Sequence, residues 1–324
     1  MLTDAMEHFG LTRSLRQVGY FPTDHHEQLL KELHAAIYEG GLIALTGVVG
    51  TGKTQLLWRL QGALKSEGKI QVIQSLAVDK HRVTLDTLKL AIYYGLATEK
   101  DPNDLPTKPE KSEFILMRVI HRCAKPIALF VDDAHDLYSQ TLLAVKRFGE
   151  LMRQRGVHLA VVLAGHPKLK NDLRRPVIEE IGSRSTVLEL EGIKGQQQRY
   201  ITWLLGQCTK PKVKLTNILT EQALTLLAER LATPLQIEHY LTLAMEQAYR
   251  FGEKLVTPEI IETVMASDLN ALMPTLTRHG YNVRALSELL NLRQAEVKAF
   301  LHGQLPPGRT EELKQQILKE GILL

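Results

Sequence analysis

The chain has 324 residues, 44% of them apolar and 23% charged, with a net charge of +4. At roughly 100–200 residues per domain this leaves room for two or three domains, and the composition excludes a disordered or collagen-like protein. Two cysteines, Cys123 and Cys208, are too few for a disulfide framework or a thiolate metal site. The opening MLTDAMEHFG is not a basic-then-apolar leader, and no run of about 18 apolar residues occurs, so a cytoplasmic protein without a membrane span is expected. The charge is too mild to identify a polyanionic partner.

In chain order, short apolar runs at Leu42–Thr46, Ile70–Gln74, Ile127–Asp132, Leu159–Ala164 and Val187–Leu190 predict buried strands, separated by stretches of helical periodicity. That alternation predicts an α/β fold with a parallel sheet over residues 1–194. The segment from Thr98 to Glu113, rich in Pro, Asp and Lys, predicts an exposed connection. From 195 to 267 the apolar residues Ile201, Leu204, Leu227, Leu231, Leu241, Met245 and Ala248 fall at helical spacing and predict a small helical domain. Thr257-Pro258-Glu259 has the form of a helix start. In 268–324, Val283, Leu286, Leu289 and Leu290 make one stripe, and Val297, Phe300 and Leu301 a second after a short turn, which is the outline of a helix-turn-helix. Trp58 and Trp203 are expected in the core.

Gly47-Val48-Val49-Gly50-Thr51-Gly52-Lys53-Thr54 satisfies GxxxxGK[ST] between an apolar run and a helical stripe of Leu56, Leu57, Leu60 and Leu64. Its glycines let backbone N–H groups turn inward onto the phosphates of ATP, and the helix that follows, through Gln55, presents its positive end. Lys53 is expected on the β and γ oxygens, and Thr54 on Mg²⁺. The run Ile127–Asp132 ends in Asp132-Asp133-Ala134-His135, placing carboxylates at the sheet's C-terminal edge. Asp132 is expected to hold the Mg²⁺ shell and Asp133 to orient the attacking water. The next run ends Gly165-His166-Pro167, and His166 is the candidate for sensing the γ-phosphate.

With these motifs in this order, the chain resembles AAA+ ATPases, and more closely the ExeA-like group that includes the TniB, TnsC and MuB transposition ATPases. The resemblance covers about residues 7–265 and implies an AAA+ P-loop NTPase with a helical lid, followed here by the helix-turn-helix-like tail. It implies that Tyr20, Phe21 and Pro22 lie near the adenine. It also implies that Arg184 acts on a neighbouring subunit's nucleotide, with Arg174 and Arg175 as the other candidates. Two departures stand out. The second acid is Asp133 where most relatives carry Glu, and Thr233-Pro234-Leu235-Gln236-Ile237 stands where many relatives carry a sensor arginine.

The resemblance further implies DNA contacts at Lys80 and Arg82, because transposition ATPases line their ring or filament pore at this position. A basic surface loop without a partner fits the same residues. In the tail, Arg293, Gln294, Lys298 and His302 are expected on the exposed face of the second helix, where they suit a DNA groove or a partner protein equally. A second basic cluster, Lys146, Arg147, Arg153 and Arg155, spreads around a helix and is expected to make solvent and subunit contacts. The resulting expectation is a Mg²⁺-dependent ATPase that self-assembles on duplex DNA and recruits or activates a transposase. An ExeA-type secretion ATPase and a weakly hydrolysing nucleotide-switch scaffold are the alternatives.

Overall fold

The computed structural model describes residues 1–75, 83–174, 185–211, 213–265, 272–301 and 304–322. Its strands β1 (Gly41–Thr46), β2 (Gln71–Gln74), β3 (Ile127–Val131), β4 (Leu159–Gly165) and β5 (Ser185–Glu189) form one parallel sheet in the order β2-β3-β4-β1-β5. Each lies on a predicted apolar run. The central strands β3 and β4 are buried at every residue, whereas the edge strand β5 is not. A strand covered on both faces needs a continuous apolar run, and this is why those two are the most legible.

Around the sheet lie α2 (Asp24–Glu39), α3 (Lys53–Glu67), α4 (Leu85–Leu96), α5 (Pro109–Cys123), α6 (Ser139–Gln154) and α7 (Pro167–Leu173). One core joins Leu129, Val131, Val161 and Leu163 of the sheet to Leu116, Ile120, Leu142 and Val145 of the helices. Two expectations fail here. Trp58 is 55% exposed, because on α3 it lies about two residue steps, some 200°, from the buried Leu56 and Leu60. Lys146 is buried on α6 rather than solvated, while Arg147, Arg153 and Arg155 are exposed. Within the connection from Thr98 to Glu113, Asp101 is buried, accepting from Arg122 Nη1 at 2.9 Å and from the Thr98 N–H at 2.8 Å. The Arg122 guanidinium beside it holds the Asp101 carboxyl well below the usual carboxylate range.

Residues 25–47 and 53–190 form one compact unit, and residues 1–24, 48–52 and 191–324 the other. The second unit contains α1 (Thr3–His8), α8 (Gln197–Cys208), α9 (Glu221–Arg230), α10 (Pro234–Arg250) and α11 (Pro258–Met265). Its core gathers Ile201, Leu204, Leu227, Leu241, Met245 and Ile261 with Phe9, Leu11, Leu15 and Phe21. The first 24 residues therefore cluster with the helical region, which departs from a linear division at residue 194. Apolar side chains in a segment without a regular repeat do not disclose which core they will join.

In the same unit α12 (Leu272–Arg278), α13 (Val283–Leu290), α14 (Gln294–Leu301) and α15 (Pro307–Lys319) enclose a separate core of Leu276, Tyr281, Leu286, Val297, Phe300, Leu313 and Ile317. Asn282 caps α13 by accepting from the Ala285 N–H at 2.8 Å, and Asn291 ends it in the left-handed conformation at φ 53°. The turn Asn291-Leu292-Arg293 then leads into α14, so the predicted helix-turn-helix is formed. Arg309 braces it, donating to Glu296 at 2.8 Å. Among the described residues no helix is long and apolar enough to cross a membrane.

Candidate nucleotide site

The phosphate loop links the C-terminal end of β1 to α3. Gly50 and Gly52 have φ of 85° and 97°, a conformation that L side chains avoid. At Gly50 the demand is doubled, since a Cβ there would meet Leu235 Cβ at 2.6 Å and Thr233 Oγ1 at 3.0 Å. Thr51 is buried, and its hydroxyl donates to the Val48 carbonyl at 3.0 Å to close the turn. Lys53, only 8% exposed, donates from Nζ to the Gly47 carbonyl at 2.7 Å. Burial lowers its pKa to about 8, against the opposing pull of Asp132 and Asp133. An ammonium held this way is desolvated before any phosphate arrives. Gln55 is exposed on the first turn of α3.

On the neighbouring edge of the sheet, Thr54 Oγ1 donates to Asp132 Oδ2 at 2.8 Å. Asp132 Oδ1 accepts from the Asp133 N–H at 3.0 Å. A hydroxyl and a carboxylate oxygen side by side are the hard donors that Mg²⁺ takes from protein, its other positions being left to water and phosphate. The pair fits that ion.

Asp133 is exposed and left-handed, at φ 54° and ψ 34°. Aspartate is among the few residues with a side chain that enter this region readily, because its short polar group can bond locally. The backbone conformation gives a physical reason for the shorter acid here.

His166 directly precedes α7, and its ring stacks on His135 with centroids 3.5 Å apart. His135 is buried, and its Nδ1 has no hydrogen-bond partner among the described residues. Burial lowers its pKa, with Asp136 and Asp133 opposing that shift. Gly165 permits the approach, since a Cβ there would lie 2.9 Å from the His135 backbone nitrogen. The histidine next to the acids is thus a neighbour of the sensor candidate, a pairing that sequence separation conceals.

Residues 36–173 match the family described as the AAA domain. Over 174 residues the chain is 26% identical to General secretion pathway protein A of Aeromonas hydrophila, covering 51% of this chain and 30% of that protein. The chain therefore spans less than a third of that relative's length. In fold it is similar to Cdc6p of Pyrobaculum aerophilum, with a TM-score of 0.56 and 16% identity over 95% of this chain and 89% of that one. It is also similar to the ADP form of the Aeropyrum pernix ORC2 protein, with a TM-score of 0.54 and 15% identity over 96% and 91%. The fold class expected from the sequence, an AAA+ P-loop sheet with helical additions, is the one observed.

Phe21 is buried in the helical core, its ring 5.4 Å from Tyr200 and 5.1 Å from Trp203, with the Arg199 guanidinium 5.7 Å away. Tyr20 is half-buried beside it in sequence. Arg174 is exposed at the end of α7, while Arg175 and Arg184 lie outside the described residues, as do Lys80, Arg82 and His302. Arg293 and Lys298 are exposed, with Gln294 between them in sequence. Gln236 caps its own helix: its Oε1 accepts from the Ala232 and Thr233 N–H groups at 3.0 and 3.2 Å, and Thr233 Oγ1 accepts from the Gln236 N–H. This is a capping box. The TPLQ sequence reads as one, and that signal was available.

Two contacts on the loop were not legible. The Leu235 N–H donates to the Gly50 carbonyl at 3.4 Å, and the Val49 N–H donates to the Arg278 carbonyl at 3.2 Å. A cavity of about 350 Å³, lined by Gly40, Val145, Lys146, His158 and Ser185, sits at the N-terminal ends of the strands. It lies at the opposite edge of the sheet from Asp132 and takes no part in the site.

Proposed function

We propose that the protein is a Mg²⁺-dependent ATPase that assembles on duplex DNA and regulates DNA transposition by recruiting or activating a transposase. The observation that carries this reading is the phosphate site itself, with Lys53 on the loop and Thr54 bonded to Asp132, in a segment that matches the AAA domain; the helix-turn-helix, whose second helix leaves Arg293, Gln294 and Lys298 exposed, is a second surface for DNA or a partner protein. Lys53 and the loop amides hold the phosphates, Asp132 and Thr54 hold the metal, and Asp133 orients the water. The magnesium ion, when bound, neutralises charge on the phosphate oxygens. Arg184 completes the site of an adjacent copy. Lys80 and Arg82 follow the DNA backbone, which makes binding insensitive to sequence and weaker in salt.

Electron microscopy with duplex DNA and a non-hydrolysable ATP analogue tests this. Ordered assemblies that need both components are expected, and their absence overturns the DNA reading. Replacing Lys80 and Arg82 by alanine should weaken binding uniformly and flatten its salt dependence, whereas deleting residues 268–324 should leave assembly largely intact. The likeness to General secretion pathway protein A favours a second reading, an ATPase serving secretion. ATP turnover that is indifferent to DNA would support it.

A further inference from the structure

We propose that His135 is a positioning residue, whose ring holds the His166 imidazole in the orientation that meets the γ-phosphate. This inference rests on the reading of Gly47–Thr54 as an ATP site and of His166 as the side chain that senses the third phosphate. His166 stands between β4 and α7, where a side chain has two torsions to fix. Ordering a loose side chain as the nucleotide binds costs free energy, and a ring ordered beforehand avoids that cost.

The His135 ring supplies that order. The two imidazoles stack at 3.5 Å between centroids, with 26° between their planes. Stacking uses the face of the His166 ring and leaves its edge for hydrogen bonds. His135 is itself held from two sides. It lies on the short turn Ala134–Asp136 after β3, and Ala134 is fully buried in the sheet's core. Lys168, on the first turn of α7, donates from Nζ to the His135 carbonyl at 3.2 Å and to the buried Asp172 at 2.7 Å. Gly165 lets the turn close on β4, since a Cβ there would lie 3.2 Å from the His135 Cβ. Because β3 and β4 are paired neighbours, the stack bridges the two strand ends that lead into Asp133 and His166. The His135 Nδ1 has no hydrogen-bond partner among the described residues, and Nε2 stands 3.8 Å from Asp136, beyond hydrogen-bond reach. Burial also lowers the ring's pKa. The stack therefore depends on a flat neutral face and on neither nitrogen.

The test is a double-mutant cycle on single-turnover ATP hydrolysis with Mg²⁺ in the full-length protein, with calorimetric affinity for a β,γ-imido ATP analogue and a thermal unfolding curve for each variant. His135→Leu, which fills the volume without a flat face, is expected to lower the hydrolysis rate by about tenfold, the upper end of what an aromatic pair contributes, and to hold the analogue within about twofold. His135→Phe, which keeps the face and drops both nitrogens, should recover most of the rate. His166→Ala should be slow by itself, and adding His135→Leu to it should change the rate by less than about twofold, because no ring is left to position. His135→Met takes the place of the leucine variant if that protein is unfolded at the assay temperature. Losses that multiply in the double variant, which a merely structural role would give, overturn the proposal, as does a parent rate in His135→Leu or no recovery in His135→Phe. A parent rate in His166→Ala overturns the reading of His166, and a parent protein that neither binds the analogue nor hydrolyses ATP overturns the phosphate-site reading, each taking this inference with it.

Discussion

The Thr54 hydroxyl donates to the Asp132 carboxylate at 2.8 Å, joining the first turn of α3 to the end of β3. Residues far apart in sequence meet there because both belong to the C-terminal edge of one parallel sheet, where ligands of open α/β folds bind. Replacing Thr54 by alanine deletes one of the two oxygens and leaves Asp132 without that donor. Nucleotide affinity in Mg²⁺ should fall by about tenfold, on the order of one hydrogen bond to a charged group, and chelating the metal should then change little. Titration with and without a chelator checks both.

Lys53 offers a stability test. Its pKa is lowered from 10.5 to about 8 by burial. Below about pH 8 the side chain is charged in both folded and unfolded chains, so burial of the ammonium opposes folding in full, by on the order of 3 kcal/mol. Between about pH 8 and the unfolded value the unfolded chain binds the additional proton, and the opposition fades as pH rises. Lys53→Met should therefore stabilise the nucleotide-free protein at pH 7, by about 1–3 kcal/mol in denaturant titration, with a gain that shrinks above pH 8. The same variant should lose nucleotide binding.

Asp133→Asn should keep nucleotide and metal through Lys53, Thr54 and Asp132 but lose turnover, since only the carboxylate proposed to orient the water is removed. Asparagine also tolerates the left-handed backbone. Asp133→Val should additionally destabilise the fold by about 1–2 kcal/mol, because a β-branched residue does not. Single-turnover hydrolysis and thermal unfolding separate the two effects.

Gln236→Ala should behave as the loss of a helix cap and nothing more. A cost of about 1 kcal/mol in stability is expected, with the ratio of ADP to ATP-analogue affinity unchanged. A shifted ratio would return a sensor role to this position.

The parts of the fold that sequence discloses are those governed by local periodicity. β3 and β4 announce themselves as unbroken apolar runs, and the phosphate loop by its glycine spacing. Thr233–Gln236 also carries its own cap signal. Other features depend on partners far along the chain. The burial of Phe21 against Tyr200, the docking of Arg278 on Val49 and the left-handed backbone at Asp133 have no periodic signature. Trp58 shows the converse error, in which an aromatic residue suggests a core that the phase of its helix denies it.

In the strand order, β4 alone stands between β1, which launches the phosphate loop, and β3, which ends in the acids. Adjacent strands lie about 4.8 Å apart, so two ladder steps, about 10 Å, separate the backbones of β1 and β3. The sheet acts as a ruler whose graduation is the peptide hydrogen bond. Side-chain substitutions at Lys53, Asp132 or Asp133 change what chemistry happens across that span, while its width is held by main-chain bonds that no single substitution rewrites.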